Sequence, residues 1–283
     1  MLLSYHVKMI DDNYNKKLYK TILNKLSLYF IKGWSDWSNR MAKSFTFKQF
    51  HIDAFQCGMP VSTDAIILGA WADIEASSTL LDLGCGTGVL ALMCAQRNPI
   101  VKIKAIEIEK NAVDAARKNI ANSPWRDRVS VLHQSIQSMT EDYLERGLKV
   151  EAIICNPPYF NDGISSQEES RAIARHSETL PHNVLLNCCS HLLKDEGKAS
   201  FILPKKEGEA FIKLLSKPTT SLFSLTRLTS VRTTAKKDVT RVLIELTKNN
   251  QQDVYQHNEL IIHHGEEYSA DFIALTKAFY LKM

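Results

Sequence analysis

Thr79-Leu80-Leu81-Asp82-Leu83-Gly84-Cys85-Gly86-Thr87-Gly88 is the stretch that decides the fold of this chain. A short apolar strand runs straight into a loop with glycine at every second position, and 89–96 then reads as an apolar helix. Glycine adopts positive φ without a Cβ penalty, so such a loop lets backbone approach a ligand at the carboxyl end of the strand. The same rhythm continues outward. Strands are expected at 102–108, 129–132, 150–155 and 198–203, and helices at 110–121, 184–193 and 207–215. That spacing suits parallel crossovers. Two further strand-like runs, 222–231 and 239–246, have no helix between them and must pair antiparallel. The expected fold is α/β: a doubly wound, mostly parallel, seven-stranded, Rossmann-like sheet ending in an antiparallel strand. Ahead of the loop, 45–50 partly alternates and suggests a short strand or arm. Thr63-Asp64 precedes the apolar helix Ala65-Ile66-Ile67-Leu68-Gly69-Ala70-Trp71, and one of those two polar residues is expected to cap it.

Composition limits the function classes. The chain has 283 residues, 45% hydrophobic and 23% charged, which suits one large α/β domain with appendages. Its net charge of +4 is local: the first forty residues hold seven Lys/Arg against three Asp, and from Met41 onward 28 basic and 28 acidic residues cancel. Contact with nucleic acid must therefore come from local patches. In residues 1–40, Leu18, Ile22, Leu26, Tyr29 and Phe30 recur at helical spacing, but Lys20, Asn24 and Lys25 interrupt any signal-peptide core. This segment reads as an upstream extension, and 41–283 as a single domain. No stretch reaches transmembrane length, so no membrane association is expected. The six cysteines show no Cys-x-x-Cys spacing and sit mostly in apolar runs, as buried hydrophobes do in a reducing, cytoplasmic setting. No metal is expected, and no protein partner is implied.

The loop also limits the ligand. Dinucleotide sites favour G-x-G-x-x-G, with a pyrophosphate at the helix N-terminus. Here the spacing is Gly84-x-Gly86-x-Gly88, and a negative Asp82 beside it would oppose a pyrophosphate but suit a cationic or zwitterionic ligand. Glu107, closing the second strand, is placed to accept hydrogen bonds from two ribose hydroxyls. Together these describe a nucleoside with a compact amino-acid tail, S-adenosylmethionine. After the fourth strand comes Asn156-Pro157-Pro158-Tyr159. The prolines preset the backbone. The Asn156 carboxamide oxygen and a neighbouring carbonyl could then accept both hydrogens of one NH₂ group, with Tyr159 or Phe160 stacked on the ring that bears it. The same residues would also serve a plain strand-to-loop turn.

With loop, acid and elbow on successive strands, the chain resembles class I S-adenosylmethionine-dependent methyltransferases of the amino-group type, which carry D-x-G-x-G-x-G and N-P-P-Y, here 82–88 and 156–159. More narrowly, Phe45-Thr46-Phe47-Lys48-Gln49-Phe50-His51, the 63–71 stretch, 156–160, Ala174-Arg175-His176 and Phe279-Tyr280-Leu281-Lys282-Met283 resemble the bacterial tRNA1(Val) adenine N6-methyltransferase family, over residues 41 onward. The resemblance implies methyl transfer from S-adenosylmethionine to N6 of an adenine next to the anticodon of a valine tRNA, with S-adenosylhomocysteine as product. It implies a catalytic set of Asn156, Pro157, Pro158 and Tyr159. Thr63, Asp64 and Ser135 join Asp82, Gly84, Gly86, Gly88 and Glu107 at the cofactor. From their places just beyond the elbow and at the end of the fifth strand, Phe160, Arg171, Arg175, His176, Lys205 and Lys206 are expected to contact RNA. Two departures stand out: Ser135 replaces an acidic residue, and Pro60 and Ser62 replace Lys and a small residue. The basic residues Arg232, Lys236, Lys237 and Arg241 are expected on the far side of the sheet, away from the elbow. Other readings are glutamine N5-methylation of protein, guanine N2-methylation of ribosomal RNA and a non-catalytic RNA-binding module. A nucleotide-binding oxidoreductase is disfavoured by the glycine spacing.

Overall fold

Strands buried on both faces read as continuous apolar runs, and two such runs make the centre of this molecule. They are β3 (Thr79–Leu83) and β6 (Val150–Cys155). Because side chains alternate across a strand, Leu80, Ala152 and Ile154 enter one core, while Leu81, Leu83, Ile153 and Cys155 enter a second on the opposite face. The computed structural model describes residues 44–55, 57, 61–157, 180–216, 222–249 and 255–283.

Parallel neighbours extend the centre both ways. On one side lie β4 (Lys102–Glu107) and β5 (Val129–His133), and on the other β7 (Leu193–Pro204). Beyond β7 come β9 (Val239–Lys248), antiparallel to it, and β8 (Phe223–Thr234), antiparallel to β9. The seven strands expected from sequence are all present. The sheet has nine: β10 (Gln256–His264) adds parallel to β8, and β11 (Glu267–Tyr268) closes a tight hairpin on β10. The order is β11-β10-β8-β9-β7-β6-β3-β4-β5.

Helices cover both faces. The first core takes α1 (Thr63–Trp71), α2 (Val89–Arg97), the Ala116 and Ile120 side of α3 (Lys110–Ala121), and Phe272 of α7 (Ala270–Thr276). The second takes α4 (Ile136–Glu145), α5 (His182–Leu192) and Phe211 of α6 (Lys205–Lys213). Sequence reading missed α4, whose signals are the Ser135 cap and the Met139/Tyr143 pair one turn apart, both buried. Helices α5 and α6 begin two residues earlier than expected, which puts Lys205 and Lys206 in the first turn of α6.

Local chemistry corrects one other expectation and sharpens a second. Ser62 caps α1, its hydroxyl accepting from Ala65 N at 3.1 Å, so the cap is neither Thr63 nor Asp64. The 45–50 arm is a hairpin of β1 (Ser44–Thr46) and β2 (His51–Asp53), with Phe47 and Phe50 turned inward and stacked at 4.3 Å.

Register also overturns the placement of the β8–β9 hairpin. β9 runs antiparallel to β7 with Arg241 opposite Pro204, so β9 starts at the edge where β7 ends. Residues 235–238 therefore lie at the carboxyl edge of the parallel strands, the same edge as the elbow.

Candidate active site

Three adjacent strands bring the site together. In the order β6-β3-β4, Ile154 pairs with Asp82 and Asp82 with Ala105, so Asn156, Gly84 and Glu107 leave the sheet side by side. From β3 the chain winds outward through β4 to β5, then returns to β6 on the other side of β3. Such reversal of strand order opens a crevice at the carboxyl ends, where open α/β sheets bind ligands.

The loop is built on positive φ. Gly84, Gly86 and Gly88 stand at φ +74°, +53° and +85°, a region that penalises any Cβ. A Cβ at Gly84 would meet no atom within 4 Å, so the backbone there faces open space. Gly88 starts α2 without a side-chain cap.

Two carboxylates flank the loop. Glu107 Oε2 accepts from Gly86 N at 2.9 Å, and its Oε1 from Ile108 N at 2.8 Å and Glu109 N at 2.9 Å. The residue expected to read ribose thus also shapes the loop. Asp82 is fully buried. Its Oδ2 accepts from Ala91 N at 3.0 Å, while Oδ1 is buried with no partner among the described residues. Burial, with a further push from Glu107, raises the Asp82 carboxyl to about 7. Beside the elbow, the Asn156 carboxamide oxygen is likewise buried without a partner among the described residues. Buried acceptors of this kind cost free energy unless a donor or cation meets them. Paired carboxylates and a free carboxamide oxygen around an open glycine loop fit a cationic nucleoside and an amine, so the donor set suits S-adenosylmethionine.

Sequence reading overlooked Asn119 of α3. Its carboxamide accepts from Asp53 N at 3.1 Å and donates to Asp53 O and Thr87 O, each at 3.0 Å, joining the end of β2 to the glycine loop. Its signal in the sequence is faint, a single polar residue on the apolar stripe of α3. Asp53 Oδ1 accepts from Phe55 N at 2.7 Å, and Phe55 is held at φ +46° with Lys118 Nζ 4.6 Å from its ring.

The remaining site residues fall in several places. Ser135 caps α4, its hydroxyl accepting from Ser138 N at 3.1 Å. Asp64 pairs with Arg241 of β9 at 2.8 Å, which pins the start of α1 to the carboxyl edge, and Thr63 is exposed there. Lys205 and Lys206 are exposed on that same edge. Pro157 is buried next to Asn156. Pro158, Tyr159, Phe160, Arg171, Arg175 and His176 lie outside the described residues. Among the described residues, no group of three or more His, Cys, Asp and Glu side chains could hold a metal ion, and no helix is long and apolar enough to cross a membrane.

Comparison with known proteins adds an independent line. Residues 65–183 match the family model described as "Methyltransferase small domain". A tRNA1(Val) (adenine(37)-N6)-methyltransferase from Aliivibrio salmonicida is 51% identical over 243 residues, 86% of this chain and all of the relative. The protein of that name from Photobacterium profundum is 46% identical over 245 residues, again 86% of this chain and all of the relative. Among solved structures, a predicted O-methyltransferase from Agrobacterium tumefaciens superposes with a TM-score of 0.60 at 18% identity, covering 76% of this chain and 96% of that one.

Proposed function

The chain belongs to the tRNA1(Val) (adenine(37)-N6)-methyltransferase family, and from that premise we propose that its elbow, glycine loop and two carboxylates are the machinery of the reaction. The enzyme transfers a methyl group from S-adenosylmethionine to N6 of adenine 37 in tRNA1(Val). The observation that carries the site assignment is the Asn156 oxygen beside the glycine loop, buried and without a partner among the described residues.

Bound S-adenosylmethionine supplies an electrophilic methyl group on a sulfonium. Asp82, Gly84, Gly86, Gly88 and Glu107 hold it, with Thr63, Asp64 and Ser135 at the periphery of that site. An exocyclic adenine amine is a weak nucleophile because its lone pair is delocalised into the ring. Two N–H bonds donated to Asn156 Oδ1 and the Pro157 carbonyl favour a tetrahedral nitrogen and aim its lone pair out of the ring plane. Pro158 fixes the elbow, and Tyr159 and Phe160 stack on a base taken out of its own stack. The amine proton becomes acidic once the nitrogen is alkylated, so the site needs no dedicated base. Burial pushes the Cys85 and Cys155 thiols well above their usual value, so neither competes as a nucleophile.

Arg171, Arg175, His176, Lys205 and Lys206 supply RNA contacts in this reading. Residues 1–40 are an extension outside the methyltransferase domain of 41–283, and intact-mass measurement on the native protein tests whether Met1 is retained. All six cysteines are free, which suits a reducing, cytoplasmic compartment. The central test is incubation with labelled S-adenosylmethionine and unmodified tRNA, followed by nucleoside mapping. Label is expected in N6-methyladenosine; label in guanine or in protein glutamine overturns the reading.

A further inference from the structure

We propose that the β8–β9 hairpin tip, through Lys236 and Lys237, is a second RNA-contacting surface, gripping tRNA phosphates beside the elbow. The inference rests on tRNA being the substrate and goes beyond the basic residues already assigned.

Strand register carries it. Arg241 faces Pro204 at the end of β7, and both β8 and β9 run on past that point before turning at 235–238. The tip therefore rises above the edge from which Asn156 emerges. It stands two to three strand spacings to the side of β6, roughly 10–15 Å, a distance a few nucleotides of single strand can span.

The tip is also ordered in advance. Lys237 N donates to Thr234 O at 3.1 Å, and the Arg232 guanidinium donates to Lys237 O at 2.6 Å and to Glu259 at 2.5 Å. Arg232 is thus a buttress, and it takes up the nearby acid. The Lys236 and Lys237 side chains are exposed and enter no ion pair among the described residues, with Asp238 the acid next in the turn. Lys206, exposed at the start of α6, continues the basic surface toward the elbow. Farther out, the β10–β11 turn carries Glu266 and Glu267, both exposed, so the basic surface ends at the hairpin. Lysines held out on a rigid turn suit the phosphate backbone, which is read by charge without sequence information.

The full-length Lys236→Glu/Lys237→Glu and Lys236→Gln/Lys237→Gln variants test this against wild type on an unmodified tRNA1(Val) transcript. The charge-reversed pair is expected to raise KM for tRNA by about tenfold, with the neutral pair smaller in effect, and kcat and S-adenosylmethionine affinity unchanged. The plot of log affinity against log salt should become shallower by about 1 for each lysine lost from a phosphate. Lys236→Arg/Lys237→Arg should behave as wild type, as should Glu266→Gln/Glu267→Gln. An unchanged KM and salt slope in both lysine pairs overturns the hairpin surface while leaving the enzyme assignment intact. A fall in kcat or cofactor affinity without a change in tRNA KM overturns it equally. If wild type itself places no label in tRNA, the substrate reading fails and the hairpin surface falls with it.

Discussion

Asn156→Ala removes one of the two acceptors that hold the amine, and the lost contact acts in the transition state more than in the ground state. By analogy with loss of one oxyanion donor, methyl transfer should fall about 10²- to 10³-fold. S-adenosylmethionine binding, measured by calorimetry, should persist; full activity in the variant would sink the proposed mechanism. Asp82 carries a different consequence, because burial raises its carboxyl to about 7. Below about pH 4 it is protonated in folded and unfolded chains alike. Between about 4 and 7 the unfolded chain releases a proton that the folded chain retains, so stability falls as pH rises, by up to about 1.4 kcal/mol per unit. Above 7 that slope vanishes. Asp82→Asn should therefore flatten the decline from pH 4 to 7 in urea midpoints and raise stability at pH 8, while weakening cofactor binding. The positions of Asn156, Asp82, Glu107 and the glycines were legible in sequence because each lies at or just beyond the carboxyl end of a strand. Their hydrogen-bond partners were not legible, since Ala91 and Gly86 meet those carboxylates only after the strands are aligned.

At the scale of elements, helix α3 does more than cover the sheet. Asn119 is 3% exposed and holds three backbone groups, so Asn119→Leu leaves Asp53 N, Asp53 O and Thr87 O without it. Each buried group left unpaired costs about 1–3 kcal/mol. The variant should unfold at lower urea and bind S-adenosylmethionine more weakly, since the glycine loop loses a tether. Loss of stability with unchanged cofactor affinity would confine Asn119 to a packing role. Sequence patterns reveal elements with a strong period and miss those held by caps and partners. Hence 110–121 was legible as a helix, whereas α4 escaped notice and the cap of α1 was assigned one or two residues late. Ser135 shows what a cap adds: its hydroxyl starts α4, a role that no period in the sequence marks.

Across the whole molecule, connection lengths foretold the seven-stranded core, because parallel strands need crossovers and 222–246 has no room for one. They said nothing of β10 and β11, which add at an edge, where β10 sets only the short run Leu260-Ile261-Ile262 among three histidines and polar residues. Nor did they place the β8–β9 hairpin, whose edge follows from register alone. Closure between the two ends of the described core is likewise a tertiary event. Lys48 N donates to Phe279 O at 2.8 Å, Lys48 Nζ to Lys277 O at 2.6 Å, and Gln96 Nε2 to Ala278 O at 2.9 Å. Phe279 is 1% exposed, and Tyr280 lies edge-on to Phe45 at 5.8 Å. The 278–283 segment thus backs the β1–β2 hairpin, whose far end Asn119 ties to the glycine loop. Removing residues 278–283 should cost at least the about 3–5 kcal/mol expected for losing one buried phenylalanine, seen as a lower urea midpoint. Phe279→Ala, which keeps the backbone bonds to Lys48 and Gln96, separates packing from tethering. If both variants lose stability but only the truncation weakens S-adenosylmethionine binding, the backbone strut holds the hairpin in place for the loop. Equal cofactor affinity in both would limit the tail to stability.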